Sequence, residues 1–121
     1  MESFDNFEIF MDKKDIPFIT VRPTTITFSI VSIELLEYSK FVHMYIDRVN
    51  KKVAFKTCDE DSAAIRFYNQ TGNEKQWLVR ISGKDKINTL MQLAGITDCG
   101  KGIRFYGYYD EANKALIFNL K

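Results

Sequence analysis

One histidine, His43, and two cysteines, Cys58 and Cys99, hold most of this chain's capacity for nucleophilic or metal chemistry. A cysteine nucleophile needs a base and a positive setting that favours the thiolate. Cys58 is instead followed by Asp59-Glu60-Asp61, which favours the thiol and argues against a Cys58–His43 pair. Cys99, between Asp98 and Gly100, reads as an ordinary loop thiol. Two cysteines and one histidine make neither a zinc set nor a disulfide framework. Ser82-Gly83-Lys84 lacks the upstream glycine and the following hydroxyl residue that a phosphate-cradling loop requires. Asp47 and Asp110 already have a use in turns. The expectation is a non-enzymatic protein with no catalytic residue, no metal and no cofactor.

Binding chemistry remains. Phe41, His43, Tyr45 and Asp47 alternate with Val42, Met44 and Ile46, so an extended chain separates them onto two faces. At an offset of 63 positions the first face becomes Arg104, Tyr106, Tyr108 and Asp110, and the second Phe105, Gly107 and Tyr109. Tyr45, Tyr106 and Tyr108 are candidates for a protein interface or for stacking on unpaired bases, since tyrosine joins a flat apolar area to a polar end. A half-buried sheet face with hydroxyls reaching water is the plainer reading. Lys40, Arg48, Lys51, Lys52 and Lys56 cluster around the first of these segments, with Arg22 upstream. Arg80, Lys84, Lys86, Lys101 and Arg104 form a second set. Two such patches across a twofold would suit a duplex backbone and give salt-sensitive binding. A solvated hairpin tip, partly offset by Asp59-Glu60-Asp61, is the plainer alternative.

The elements that must position these groups are short. Phe18 to Val21 is β-branched and aromatic, hence a strand, and Arg22-Pro23-Thr24-Thr25 turns it. Ile26 to Phe28 resumes as a strand, and Ser29 caps a small helix ending near Tyr38. Strands follow over 40–47 and 53–57, joined by a turn at 47–51. Ala64 to Tyr68 and Trp77 to Ile81 read as strands around a polar loop at 69–76. Asp85 caps a second helix, in which Ile87, Leu90, Met91 and Ala94 fall on one face, and Gly95 ends it. Ile103 to Tyr109 and Ala115 to Leu120 make the last hairpin.

Tyr45-Ile46-Asp47-Arg48-Val49-Asn50-Lys51-Lys52-Val53-Ala54-Phe55 aligns at offset 63 with Tyr108-Tyr109-Asp110-Glu111-Ala112-Asn113-Lys114-Ala115-Leu116-Ile117-Phe118. Tyr, Asp, Asn, Lys and Phe coincide. Asp and Asn suit the shared D-x-x-N-K turn because they bond their own backbone, and Asn tolerates positive φ. Val21-Arg22 and Val79-Arg80 match upstream at offset 58. The pattern predicts two strand–helix–strand–strand units that cover each other's apolar faces as a pseudo-twofold barrel or sandwich. Two unrelated hairpins with similar turns would give part of it.

Residues 18–57 resemble the AbrB/MazE/SpoVT swapped-hairpin DNA-binding domains. Ile26-Thr27-Phe28-Ser29 is similar to that family's I-x-I-P strand, Ile33 to Tyr38 to its R-x-x-L-x-L helix, and Lys40-Phe41-Val42 to the strand after its G-D turn. The resemblance implies a dimeric DNA-binding fold, or one carried twice in a single chain as in MraZ.

The chain's 121 residues suit one domain, and an apolar fraction of 45% excludes disorder of the whole. A net charge of +1 excludes a histone-like polycation. No apolar run is long enough to span a membrane, and no basic-then-apolar leader is visible, so a cytoplasmic location with reduced thiols is expected. Residues 1–17 place Glu2, Asp5, Glu8, Asp12 and Asp15 against Lys13 and Lys14 around Phe4, Phe7, Ile9, Phe10 and Met11. This reads as an arm or edge strand with an acidic outer face, or as an arm that shields a basic surface. The expected fold is a single α+β domain with a mostly antiparallel sheet or small barrel: arm 1–17, first unit 18–57, connection 58–76, second unit 77–121. The expected function is a small DNA-binding regulator of prokaryotic or phage type. A protein-interaction module, as monomer or homodimer, and a single-strand nucleic-acid binder are the alternatives.

Overall fold

Period-two alternation of apolar residues decides most of this chain, because each strand must turn one face inward. The computed structural model describes residues 6–7, 16–68 and 79–120. In order along the chain are β1 (Phe18–Val21), β2 (Thr25–Phe28), α1 (Ile30–Leu35), β3 (Phe41–Asp47), β4 (Lys52–Thr57), β5 (Ile65–Arg66), β6 (Val79–Ser82), α2 (Lys84–Ala94), β7 (Ile103–Asp110) and β8 (Ala115–Asn119). The strands form one antiparallel, nearly closed barrel-like sheet in the order β5-β3-β4-β8-β7-β1-β2-β6. Together with the two helices it is a single small domain, mostly sheet.

The order interleaves the chain. The β1–β2 hairpin sits between β7 and β6, while β4 pairs with β8 and β2 with β6. The inward residues meet at Phe28, whose ring makes edge contacts with Phe55 at 5.0 Å, Phe67 at 4.9 Å and Phe118 at 6.3 Å between centroids. Edge-to-face packing of this kind suits the ring quadrupoles. Ile19, Val21, Ile26, Val42, Val53 and Leu116 are among the other fully buried side chains.

Ser29 caps α1 as expected: its hydroxyl accepts from Ser32 N–H at 3.3 Å. It also accepts from Phe18 N–H at 3.1 Å, which ties the helix start to β1. α2 buries Ile87, Leu90, Met91 and Ala94, and Gly95 ends it at φ 71°. Asp85 is not its cap. The helix begins two residues earlier, with Gly83 at the cap and Asp85 in the first turn. Gly83 stands at φ 143°, a conformation open to glycine and strained for other residues.

In both hairpin turns the aspartate is the anchor. Asp47 accepts from Asn50 N–H at 3.0 Å and from Asn50 Nδ2 at 2.8 Å, and Asp110 accepts from the same two groups of Asn113 at 3.3 and 2.8 Å. The left-handed residue is not the asparagine, however. It is the lysine after it, Lys51 at φ 57° and Lys114 at φ 51°. The asparagine side chain is used to bond the aspartate, and the backbone reverses one residue later.

The strand expected over 64–68 is shorter. Only Ile65 and Arg66 pair with β3, although Phe67 and Tyr68 N–H still donate to the Lys40 and Ser39 carbonyls at 2.8 and 2.9 Å. The acidic arm apart from Asn6, Phe7, Ile16 and Pro17, the loop at 69–76 and the strand start at Trp77 lie outside the described residues. Among the described residues no helix is long and apolar enough to cross a membrane.

Candidate binding face

The outward residues of β3, β4, β8 and β7 form one continuous face. Register places Tyr45 opposite Ala54, Ala54 opposite Ile117, and Ile117 opposite Tyr108. Two tyrosines therefore flank a low aliphatic floor, and both stay open, at 48% and 42% exposure. Neighbouring strands are about 4.8 Å apart, so the two tyrosine backbones are about 14 Å apart along the sheet.

Lysines edge this floor. Lys52 Nζ donates to the Tyr108 hydroxyl at 3.0 Å and lies 5.3 Å from the ring centroid. Lys56 Nζ lies 6.0 Å from the Tyr45 ring centroid. The Lys52 contact is the hydroxyl bond, whereas an ammonium near a ring, as at Lys56, is drawn to its negative face. His43 meets the edge of Tyr45 at 6.2 Å and bonds Asp61 Oδ2 at 2.8 Å. That hydrogen bond is the main cause holding the Asp61 carboxyl below its ordinary range. His43–Asp61 is the only ion pair among the described residues, so within that set the outward lysines and arginines have no carboxylate within salt-bridge distance.

The other sequence candidates are distributed. Tyr106 lies outward on β7, 38% exposed, with its ring 5.8 Å from Phe18. Arg104 is outward on β7 and stacks its guanidinium 4.0 Å from the Phe18 ring centroid. Arg80 is outward on β6, and Arg22 follows β1. Arg48 and Lys86 line a shallow hollow with Met44, Ile46, Asp85 and Thr89. Lys51 is in the β3–β4 turn, Lys40 precedes β3, and Lys84 opens α2. The first hairpin's cations thus do not form one patch, because β-strand alternation and the turn send them to different sides. Ala54, Ile117, Thr20 and Thr27, which lie between these groups across the strands, carry no local sequence signal. Their importance comes from cross-strand register.

Burial, then the charges of Asp61 and Asp59, push the Cys58 thiol up, away from the thiolate a nucleophile needs. No group of three or more potential metal ligands occurs among the described residues. In comparisons with protein-family models, curated proteins and solved structures, nothing matches the chain.

Proposed function

We propose that this chain is a non-enzymatic nucleic-acid-binding module, a small DNA-binding regulator of prokaryotic or phage type, that works through the outward face of β3-β4-β8-β7. The observation that carries this reading is the pairing of Lys52 with Tyr108 and Lys56 with Tyr45 on a solvent-facing floor, where among the described residues neither lysine has a carboxylate within salt-bridge distance. Lysines neutralise phosphates and release counterions, and tyrosines add contact area beside them.

We also propose that the two halves are a duplicated unit. Ala54 pairs with Ile117, and these two residues differ by the same 63 positions that relate the hairpins. Val53 pairs with Phe118 and Phe55 with Leu116, so the offset exchanges one pair for the other. Both turns also share the same aspartate bonds and the same left-handed lysine. The β1–β2 hairpin of one half, set between strands of the other, supports the likeness to swapped-hairpin DNA-binding domains.

Fluorescence anisotropy with double- and single-stranded DNA at about 50 and 200 mM salt tests the binding reading, since phosphate contacts weaken steeply over that range. Lys52→Glu with Lys56→Glu is expected to weaken binding on every sequence, and single neutral variants to lower the salt slope by about one each. Absence of binding at both salts would overturn the reading. It would favour the second one, a protein-interaction face, which rests on the exposure of Tyr45 and Tyr108. That face would lose its partner on Tyr108→Ala with little dependence on salt.

A further inference from the structure

A second outward sector of the barrel holds a different arrangement. Arg104 on β7 is directly opposite Thr20 on β1, Thr20 is opposite Thr27 on β2, and Thr27 is opposite Arg80 on β6. Four strands thus present an Arg-Thr-Thr-Arg row. Three strand spacings of about 4.8 Å separate the terminal arginines by about 14 Å at the backbone, a distance their long side chains can close from both ends. A third arginine enters from the turn after β1. Arg22 Nη1 donates to Thr27 Oγ1 at 3.0 Å and covers that residue, which is 9% exposed.

The groups are held ready. The Arg104 guanidinium carbon lies over the Phe18 ring, 4.0 Å from its centroid, which holds that end of the side chain. Arg22 is fixed by Thr27, and its stem lies against Gly102, where an added Cβ would come within 3.4 Å of Arg22 Cγ and 3.0 Å of Thr20 Cγ2. The Thr27 hydroxyl accepts from Arg22 and keeps its own proton to donate. Among the described residues none of the three arginines is within salt-bridge distance of a carboxylate. Guanidinium donors in a planar fork with hydroxyl donors between them match the needs of a tetrahedral oxyanion.

We infer that Arg22, Arg80 and Arg104, with the hydroxyls of Thr20 and Thr27, form a binding site for a phosphoryl group. The site lies on β7-β1-β2-β6, separate from the tyrosine–lysine floor, and does not depend on that floor binding DNA. Its ligand is either a free phosphate or phosphomonoester, or a phosphodiester of a nucleic-acid backbone.

The test follows the arginine side-chain N–H resonances of the 15N-labelled full chain as inorganic phosphate is added at constant ionic strength. Saturable shifts at Arg22, Arg80 and Arg104, with Arg48 and Arg66 unmoved, are the expected result. Arg80→Gln is expected to weaken the phosphate isotherm by about tenfold or more, the loss of a charge-assisted hydrogen bond. Thr27→Val is expected to weaken it without changing the charge. Shifts that fail to saturate, or that appear equally at Arg48 and Arg66, would report a general ion atmosphere and overturn the site. A short DNA duplex that displaces phosphate from the same three resonances assigns the site to a phosphodiester backbone. Phosphate binding without such competition assigns it to a free phosphate or monoester. The Lys52→Gln, Lys56→Gln double variant separates the two proposals: it should leave the phosphate shifts intact whether or not it abolishes DNA binding.

Discussion

Replacing Gly107 by alanine is expected to damage this protein more than any change of similar size. Gly107 lies on the inward side of β7 between the two outward tyrosines, Tyr106 and Tyr108, and pairs with Phe118 on β8. A Cβ built there would lie 2.0 Å from the Ile117 carbonyl oxygen, 2.7 Å from Phe118 Cδ1 and 2.9 Å from the Ile117 carbonyl carbon. Two of these three atoms are backbone and cannot rotate away. Relief to ordinary van der Waals contact needs more than 1 Å of separation between β7 and β8. That shift would break ladder hydrogen bonds on one side of β7 while β1 holds it on the other. Overpacking in a core costs about 1–3 kcal/mol where side chains can adjust. A clash with backbone belongs at or above the upper end, so about 3 kcal/mol or more of a total of about 5–15 is expected to be lost. Urea unfolding followed by circular dichroism measures it. Gly100→Ala is the control, because a Cβ there meets nothing within 4 Å and carries only the strain of φ 54°. That strain is expected to cost about 1 kcal/mol. A Gly107→Ala loss below the Gly100→Ala loss, at unchanged denaturant slope, would refute the β7–β8 geometry. The position also links stability to the proposed function, since displacement of β7 moves Tyr108 away from Lys52.

Phe28→Ala is expected to cost about 3–5 kcal/mol in the same urea assay, because it removes the ring that Phe55, Phe67 and Phe118 share; a loss under about 1 kcal/mol would place the core elsewhere. Asp47 and Asp110 are held below their ordinary value of 3.8, Asp47 chiefly by the Asn50 backbone N–H and Asp110 chiefly by the Asn113 side chain. Their stabilising contribution is therefore complete above that value and is lost as pH falls through the lower folded values. The Asp47→Asn, Asp110→Asn double variant should flatten the acid limb of the urea midpoint, and an unchanged limb would show that the turns do not titrate as described. Cys58 should alkylate more slowly than a free thiol at neutral pH and faster in Asp61→Asn, since burial and the neighbouring acids raise its thiol; equal rates in both proteins would remove Asp61 as a cause.

Local patterns settled a good deal in advance. Alternation put Val42, Met44 and Ile46 on one face and His43 and Tyr45 on the other, because a strand has only two faces, and the fold decided that the first face turns to the core. The four-residue apolar spacing of α2, the Ser29 cap and the aspartate-anchored turns were also legible, since each depends on groups within a few residues of one another. The Gly83 cap and the left-handed lysines were not, because several local conformations compete there and packing selects one. The two binding surfaces lie further from the reach of sequence. Tyr45 and Tyr108 were visible as candidates, but the Ala54–Ile117 floor between them exists only because β4 pairs with β8. Arg80 and Arg104 were visible as cations, yet nothing local joins them to Thr20 and Thr27. That row is made by inserting the β1–β2 hairpin between β7 and β6, so residues from three separated segments share one line. Side-chain direction is a property of the strand and can be read along the chain. Cross-strand neighbours are a property of topology and register, fixed only when the barrel assembles.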